Sequence, residues 1–209
     1  MASYFIADTH FGHENVLAFD NRPFPNIEAH DAVLIERWND AVGMEDDIYI
    51  LGDISWYNAS KTIQIVKSLN GIKHLIVGNH DKKILKNREL QSLFAEIKDY
   101  KELALSEGKG IVLCHYPIPC FNHHYYGWYH LYGHVHTGFE WSMMERVKYE
   151  MGALYDKPCE MYNCGAMMSY MDYTPRTLEE IVAEGRRSGA GRRIWGELTD
   201  VRAAEAAAQ

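Results

Sequence analysis

The chain has 209 residues, 47% hydrophobic and 24% charged, which suits one soluble globular domain with a sizeable core. A formal net charge of -8 argues against a broad polyanion-binding surface, so no extended nucleic-acid interface is expected. No apolar run approaches the ~18 residues of a membrane span and no basic leader precedes an apolar segment, so the expected compartment is the cytoplasm, without a membrane partner.

Tyr4 to Ala7 reads as a first buried strand, ending in Asp8-Thr9-His10-Phe11-Gly12-His13. An Asp and a His two residues apart at a strand exit can turn towards one ion, and their O/N donors suit Mn, Fe, Co, Ni or Zn. After the loop Asn21-Arg22-Pro23-Phe24-Pro25, Asn26 is placed to cap a helix. Leu34, Trp38, Ala41 and Val42 form its apolar face and Gly43 closes it. Tyr49-Ile50-Leu51 then reads as the end of a strand covered on both faces, followed by Gly52 and Asp53. Ligands of open α/β sheets sit beyond such carboxyl ends, and Asp53 is the carboxylate expected to be shared between two metal ions.

A second helix starts at Asn58 or Ser60, presents Ile63, Val66 and Leu69 on one face, and stops at Asn70-Gly71. Ile72 to Val77 is the next strand and ends in Gly78-Asn79-His80-Asp81. A third helix is predicted over Lys82 to Phe94. Its Lys82, Lys83, Lys86 and Arg88 read as a solvated face, or as contacts to a distal anionic part of a substrate. Gly110 to Cys114 is a further strand and leads to His115-Tyr116-Pro117. The aromatic loop from Phe121 to Tyr129 has two readings: packing on the core or a second subunit, or stacking of a nucleobase.

His130-Leu131-Tyr132 exits at Gly133-His134-Val135-His136, where two imidazoles just past a strand end can lean towards two different metals. Trp141 to Tyr155 shows no clean period, and Met161 to Cys164 is a late strand. Thr174-Pro175 with Thr177-Leu178-Glu179-Glu180 starts a helix whose inner face is Leu178, Ile181 and Val182. Residues 1–185 form a single domain and 186–209 a peripheral tail, rich first in Arg and Gly and then in Ala. Alternating strands and helices imply a covered α/β sheet, and the late strands imply a second sheet packed against the first. Cys114, Cys120, Cys159 and Cys164 lack paired C-x-x-C spacing and read as reduced, mostly buried thiols.

Five polar motifs follow apolar runs, in the order Asp-x-His, Gly-Asp, Gly-Asn-His-Asp, Cys-His and Gly-His-x-His. This order resembles the calcineurin-like metallophosphoesterase superfamily, over about residues 4 to 183. Asp8-x-His10-Phe-Gly-His-Glu-Asn and Trp128-Tyr-His-Leu-Tyr-Gly-His-Val-His136 are similar to a compact bacterial and phage branch of it. No Asp-Arg-Gly follows Gly52-Asp53, which departs from the Ser/Thr protein phosphatases. The resemblance implies a four-layer α/β/β/α sandwich with its site at the carboxyl ends of the strands. It assigns Asp8, His10 and His136 to one metal ion, Asn79, His115 and His134 to a second, and Asp53 to both. His80 matches the position that contacts the phosphate and protonates the leaving group.

The implied cofactors are two divalent transition-metal ions, Mn first, with Fe, Ni, Co or Zn as alternatives. Held ~3.5–4 Å apart, they would carry a bridging hydroxide for in-line attack on a phosphate ester. With Asp8 and Asp53 as the charged ligands, such a centre keeps a surplus of about one positive charge inside an acidic protein. The expected function is hydrolysis of a phosphodiester, possibly nucleotide-derived, by a monomer or homodimer. A phosphomonoesterase acting on a small metabolite and a non-catalytic interaction protein are the alternatives. His13 either reaches the phosphate or braces its loop, with Asn79 and His80 as the other expected substrate contacts. Asp81 either orients His80 or caps the next helix. His30 and His74 read as packing or surface residues.

Overall fold

The computed structural model describes residues 1–155 and 159–187. Its elements are β1 (Ser3–Ile6), α1 (Glu14–Phe19), α2 (Ile27–Ala41), β2 (Asp47–Ile50), α3 (Ala59–Ser68), β3 (Ile72–Ile76), α4 (Lys82–Leu85), α5 (Arg88–Gln91), β4 (Glu96–Lys98) and β5 (Tyr100–Ala104). Then follow β6 (Gly110–Cys114), β7 (Tyr129–Tyr132), α6 (Phe139–Tyr155), β8 (Glu160–Asn163), β9 (Arg176–Thr177) and α7 (Leu178–Arg187). The chain is therefore an α/β protein with two mixed sheets. One has the order β4-β3-β2-β1-β9, parallel except for β9; the other is β5-β6-β7-β8, parallel except for β5.

Ile111 and Leu113 of β6, Leu131 of β7 and Tyr162 of β8 share a buried cluster with Phe5, Ile6, Ile48 and Ile50 of the first sheet. Val112, Tyr132 and Met161 point to the other face of the second sheet and meet Trp141, Met144 and Met151 of α6. The period-2 alternation of β6 thus serves two apolar layers, which is why the strand is apolar throughout. Leu34 and Trp38 bury the inner face of α2, and the Trp38 indole N–H donates to Asn70 O at 3.0 Å. Asn26 and Asn58 cap α2 and α3 by accepting the N–H of Ala29 and Lys61, as their positions predict. Thr177 and Glu180 form the expected reciprocal box at the start of α7.

Three expectations need correcting. The predicted helix Lys82 to Phe94 is two short helices, because Asn87 adopts an extended conformation and its side chain caps the second one at Leu90. Strands β4 and β5 occupy a stretch without a strand assignment; both are short, and β4 begins just past the expected end of that helix. The aperiodic stretch from Trp141 is helix α6, with the pair Arg146–Glu150 on its outer surface and the half-buried pair Lys148–Glu145 turned towards Tyr162 of β8. Helix α7 runs through Arg187, and exposed Arg186 pairs with Glu160 at 2.6 Å. The rest of the expected tail, 188–209, lies outside the described residues. All four cysteines are unpaired, and all but Cys120 are buried. Among the described residues no helix is long and apolar enough to cross a membrane.

Candidate metal centre

The loops that leave β1 and β2 run side by side: Asp8 N–H donates to Gly52 O at 3.1 Å and His10 N–H to Asp53 O at 3.0 Å. The two sheets are joined at the same end, where Ala7 N–H donates to Cys164 O and Ala166 N–H to Ala7 O; within the second sheet Gly133 N–H donates to His115 O. This stitching brings the exits of β1, β2, β3, β6 and β7 to one rim, and all seven side chains predicted as metal ligands meet there. Asp8, His10 and His136 form one group and Asp8, Asp53 and His115 another, with donor atoms within 4.8 Å of one another in each. Asn79 Oδ1 completes the cluster, 3.0 Å from both His115 Nε2 and His134 Nδ1.

The backbone is strained where the donors sit. Asp8, His10, Asp53, His134 and His136 all have positive φ, between 46° and 72°. Non-glycine residues seldom take this left-handed conformation, and it persists where the surrounding fold over-determines it. Close approach also dictates the glycines before the ligands. A Cβ on Gly78 would lie 2.3 Å from Asp53 Oδ1, and one on Gly133 would lie 2.6 Å from Asp8 Oδ2.

Neighbouring groups fix the imidazole tautomers. His115 Nδ1 donates to Leu51 O at 2.7 Å, and His136 Nδ1 donates to Asp20 Oδ1 at 2.8 Å. Both Nε2 atoms then carry lone pairs into the cluster. His136 Nε2 faces His10 Nε2 at 3.2 Å, and His115 Nε2 faces Asp53 Oδ2 at 3.6 Å and the Asn79 oxygen. The inward Nε2 atoms of His115 and His136, with two buried carboxylates and the Asn79 oxygen beside them, make a donor set that fits divalent cations of the first row. Burial pushes the Asp8 carboxyl up to about 7 against the pull of His136, and raises that of Asp53. Burial lowers His115 to about 4 and His10 well below the usual imidazole range, which keeps both rings neutral.

His80 sits at the edge, exposed to solvent, with its ring 4.2 Å from Trp56 and 6.3 Å from His10. Its backbone N–H donates to Asp53 Oδ1 at 2.9 Å. His13 lies flat on Trp56, ring centroids 4.0 Å apart and planes within 6°, so its loop is braced by stacking. Asp81 fills neither predicted role: it caps α4 with no side-chain bond, and its carboxylate instead accepts the N–H groups of Asp53, Ile54 and Gly78 at 2.9, 3.0 and 2.8 Å. It anchors the Asp53 loop to the Asn79 loop. His30 is a packing residue as read, and His74 is bracketed by Asp47 and Glu96 away from the cluster.

Two supporting residues carry no signal in the motif pattern. Asp20 holds His136 and is itself held by buried Arg22 at 2.9 Å. Arg22 also donates to the carbonyls of Asp8 and Thr9, contacts His30, and through it reaches Asp31, which accepts the Gly12 N–H. This network ties the Asp8–His13 loop to α2. In the aromatic loop Phe121 is buried against His130 and the loop's other ring contacts stay within it, while Tyr125 and Tyr126 are exposed. Lys83 donates to Tyr57 O, while Lys82, Lys86 and Arg88 are exposed.

No protein-family model matches the chain. Over 136 residues it is 36% identical to the uncharacterized protein MJ1445 of Methanocaldococcus jannaschii, a match covering 64% of this chain and 69% of that one. It is 35% identical over 94 residues to the gene 66 protein of Mycobacterium phage L5 and 33% identical over 128 residues to that of phage D29, spanning 45% and 63% of those proteins. Among solved structures, the crystal structure of the protein of unknown function AQ665 from Aquifex aeolicus aligns with a TM-score of 0.56 at 28% identity, over 86% of this chain and 96% of that one. The chain belongs to the family of MJ1445.

Proposed function

We propose that the chain is a dinuclear metal-dependent phosphoesterase of the calcineurin-like type, its two sheets and their helices forming a four-layer α/β/β/α sandwich, and that it hydrolyses a phosphodiester. The observation that carries this reading is the convergence of seven N/O donors from five strand exits, with Nε2 of His115 and of His136 turned inward. Asp8, His10 and His136 would hold one ion, Asn79, His115 and His134 the other, and Asp53 both. Bound there, divalent ions would offset the charge of a phosphoryl group and activate water at neutral pH.

The chain's own residues do the rest. Leu51 O and Asp20 fix the tautomers of His115 and His136, so Nε2 of each faces inward. Asp81 fixes the Asp53 backbone and the His80 N–H orients its carboxylate before substrate arrives. His80 donates a ring proton to the departing alkoxide oxygen from its exposed position beside Trp56. Asn79, His80 and His13 line the phosphate side, with His13 held by its stack on Trp56. Unpaired cysteines accord with a reducing cytoplasm. Metal content and turnover of bis(4-nitrophenyl) phosphate against 4-nitrophenyl phosphate test the proposal. Two ions with diester turnover is the expected result. Turnover of the monoester alone would make it a monoesterase, and neither metal nor turnover would make it an interaction protein.

A further inference from the structure

A groove of about 550 Å³ opens beside the cluster, with His134 and His136 at one end and Phe19, Asn21, Thr137 and Glu140 along its walls. That volume falls in the range of small-ligand sites. Phe19 is 72% exposed at the end of α1, and its ring meets His13 edge-on at 6.1 Å. A single exposed Phe is ordinary on a protein surface. This one ends a row of rings: Phe19 touches His13, His13 lies on Trp56 at 4.0 Å, and Trp56 meets His80 at 4.2 Å. The row leads from the proposed general acid to the groove.

The groove's charges narrow its occupant. Among the described residues that line it, none is Lys or Arg. Its carboxylates are Asp20, already engaged by Arg22 and His136, and exposed Glu140. Away from His134 and His136, a second phosphate or a carboxylate on the substrate would meet negative charge with no Lys or Arg side chain to offset it. An uncharged planar ring would find an apolar face in Phe19 and hydrogen-bond partners in Asn21, Thr137 and Glu140.

We infer that the non-reacting part of the substrate is an uncharged heteroaromatic ring of the nucleobase type, lying on Phe19. The inference rests on the phosphoesterase reading and deepens it from ester to nucleotide ester. Calorimetric titration of the metal-loaded protein with thymidine 5′-monophosphate and with glycerol 3-phosphate tests it, alongside turnover of bis(4-nitrophenyl) phosphate. The nucleotide should bind about 5- to 150-fold tighter than glycerol phosphate, the range expected for one stacked base. Phe19→Ala should bring that ratio close to one, and Phe19→Trp should keep it. Equal affinities in the wild type, or a ratio untouched by Phe19→Ala, together with diester turnover, would overturn this inference and leave the phosphoesterase standing. Absence of both metal binding and turnover would remove the phosphoesterase reading and this inference with it.

Discussion

The two halves of the cluster are built differently. Around Asp8, His10 and His136 the support is ionic: Asp20 grips His136, Arg22 grips Asp20, and the same guanidinium holds the carbonyls of Asp8 and Thr9. Around Asn79, His115 and His134 the support is neutral: His115 leans on Leu51 O, and His115 and His134 both meet the Asn79 amide oxygen. In the first half Asp8 and His10 are buried and His136 is partly open to the groove, while His134 of the second faces solvent. On the proposed reading the first half is the tighter, charge-supported site and the second the exchangeable one, open to substrate.

Asp53 belongs to both halves, so Asp53→Asn should have the largest effect. It removes the shared charge, and metal analysis after dialysis should find neither ion retained; retention of both would mean that Asp53 is not shared. Asp20→Asn should act on the first half alone. Losing a carboxylate behind a ligating imidazole typically weakens affinity 10- to 100-fold. Calorimetric titration with Mn should show that loss for one ion and little change for the other, and equal weakening of both would erase the distinction between the halves. Because Arg22 is left buried without its partner, Asp20→Asn should also cost about 3 kcal/mol in urea unfolding.

His80 lies outside both halves. His80→Ala should keep the metal content and slow hydrolysis by about 10²- to 10⁴-fold for esters with poor leaving groups, and far less for nitrophenyl esters. A uniform loss across leaving groups would remove it as the acid. The smallest expected effect is on acid stability and lies away from the cluster. His130 is buried, donating from Nδ1 to Val112 O and accepting the Ile118 N–H at Nε2, and burial lowers it to about 4. Its folded value is below the unfolded ~6.5, so its contribution is complete above that pH and is lost as pH falls towards 4, by about 3 kcal/mol at most. Urea unfolding at pH 7 and 4.5 should show a steeper loss in the wild type than in His130→Gln; parallel losses would count against it.

The candidate ligands were legible in the sequence because each follows a buried strand, and strand exits of an α/β sheet gather at one rim. Their support was not. Asp20 and Arg22 sit in a loop whose composition says only that the chain turns, and their partners are a ligand 116 residues away and two backbone carbonyls. Asp81 looked like a cap because it precedes a helix, yet it binds main-chain N–H groups of a neighbouring loop, which no pattern in the sequence encodes. The left-handed φ of five ligands was equally invisible, since Asp and His carry no mark of it. Elements failed to show for local reasons: Asn87 reads as one polar residue in a helical run until its side chain turns back to cap Leu90.

Anomalous diffraction from crystals soaked in Mn tests the central claim most directly. The account predicts two peaks flanking the Asp53 carboxylate, one against Asp8, His10 and His136 and the other against Asn79, His115 and His134. No peak at this rim, or a lone ion that Asp53 does not touch, would contradict it.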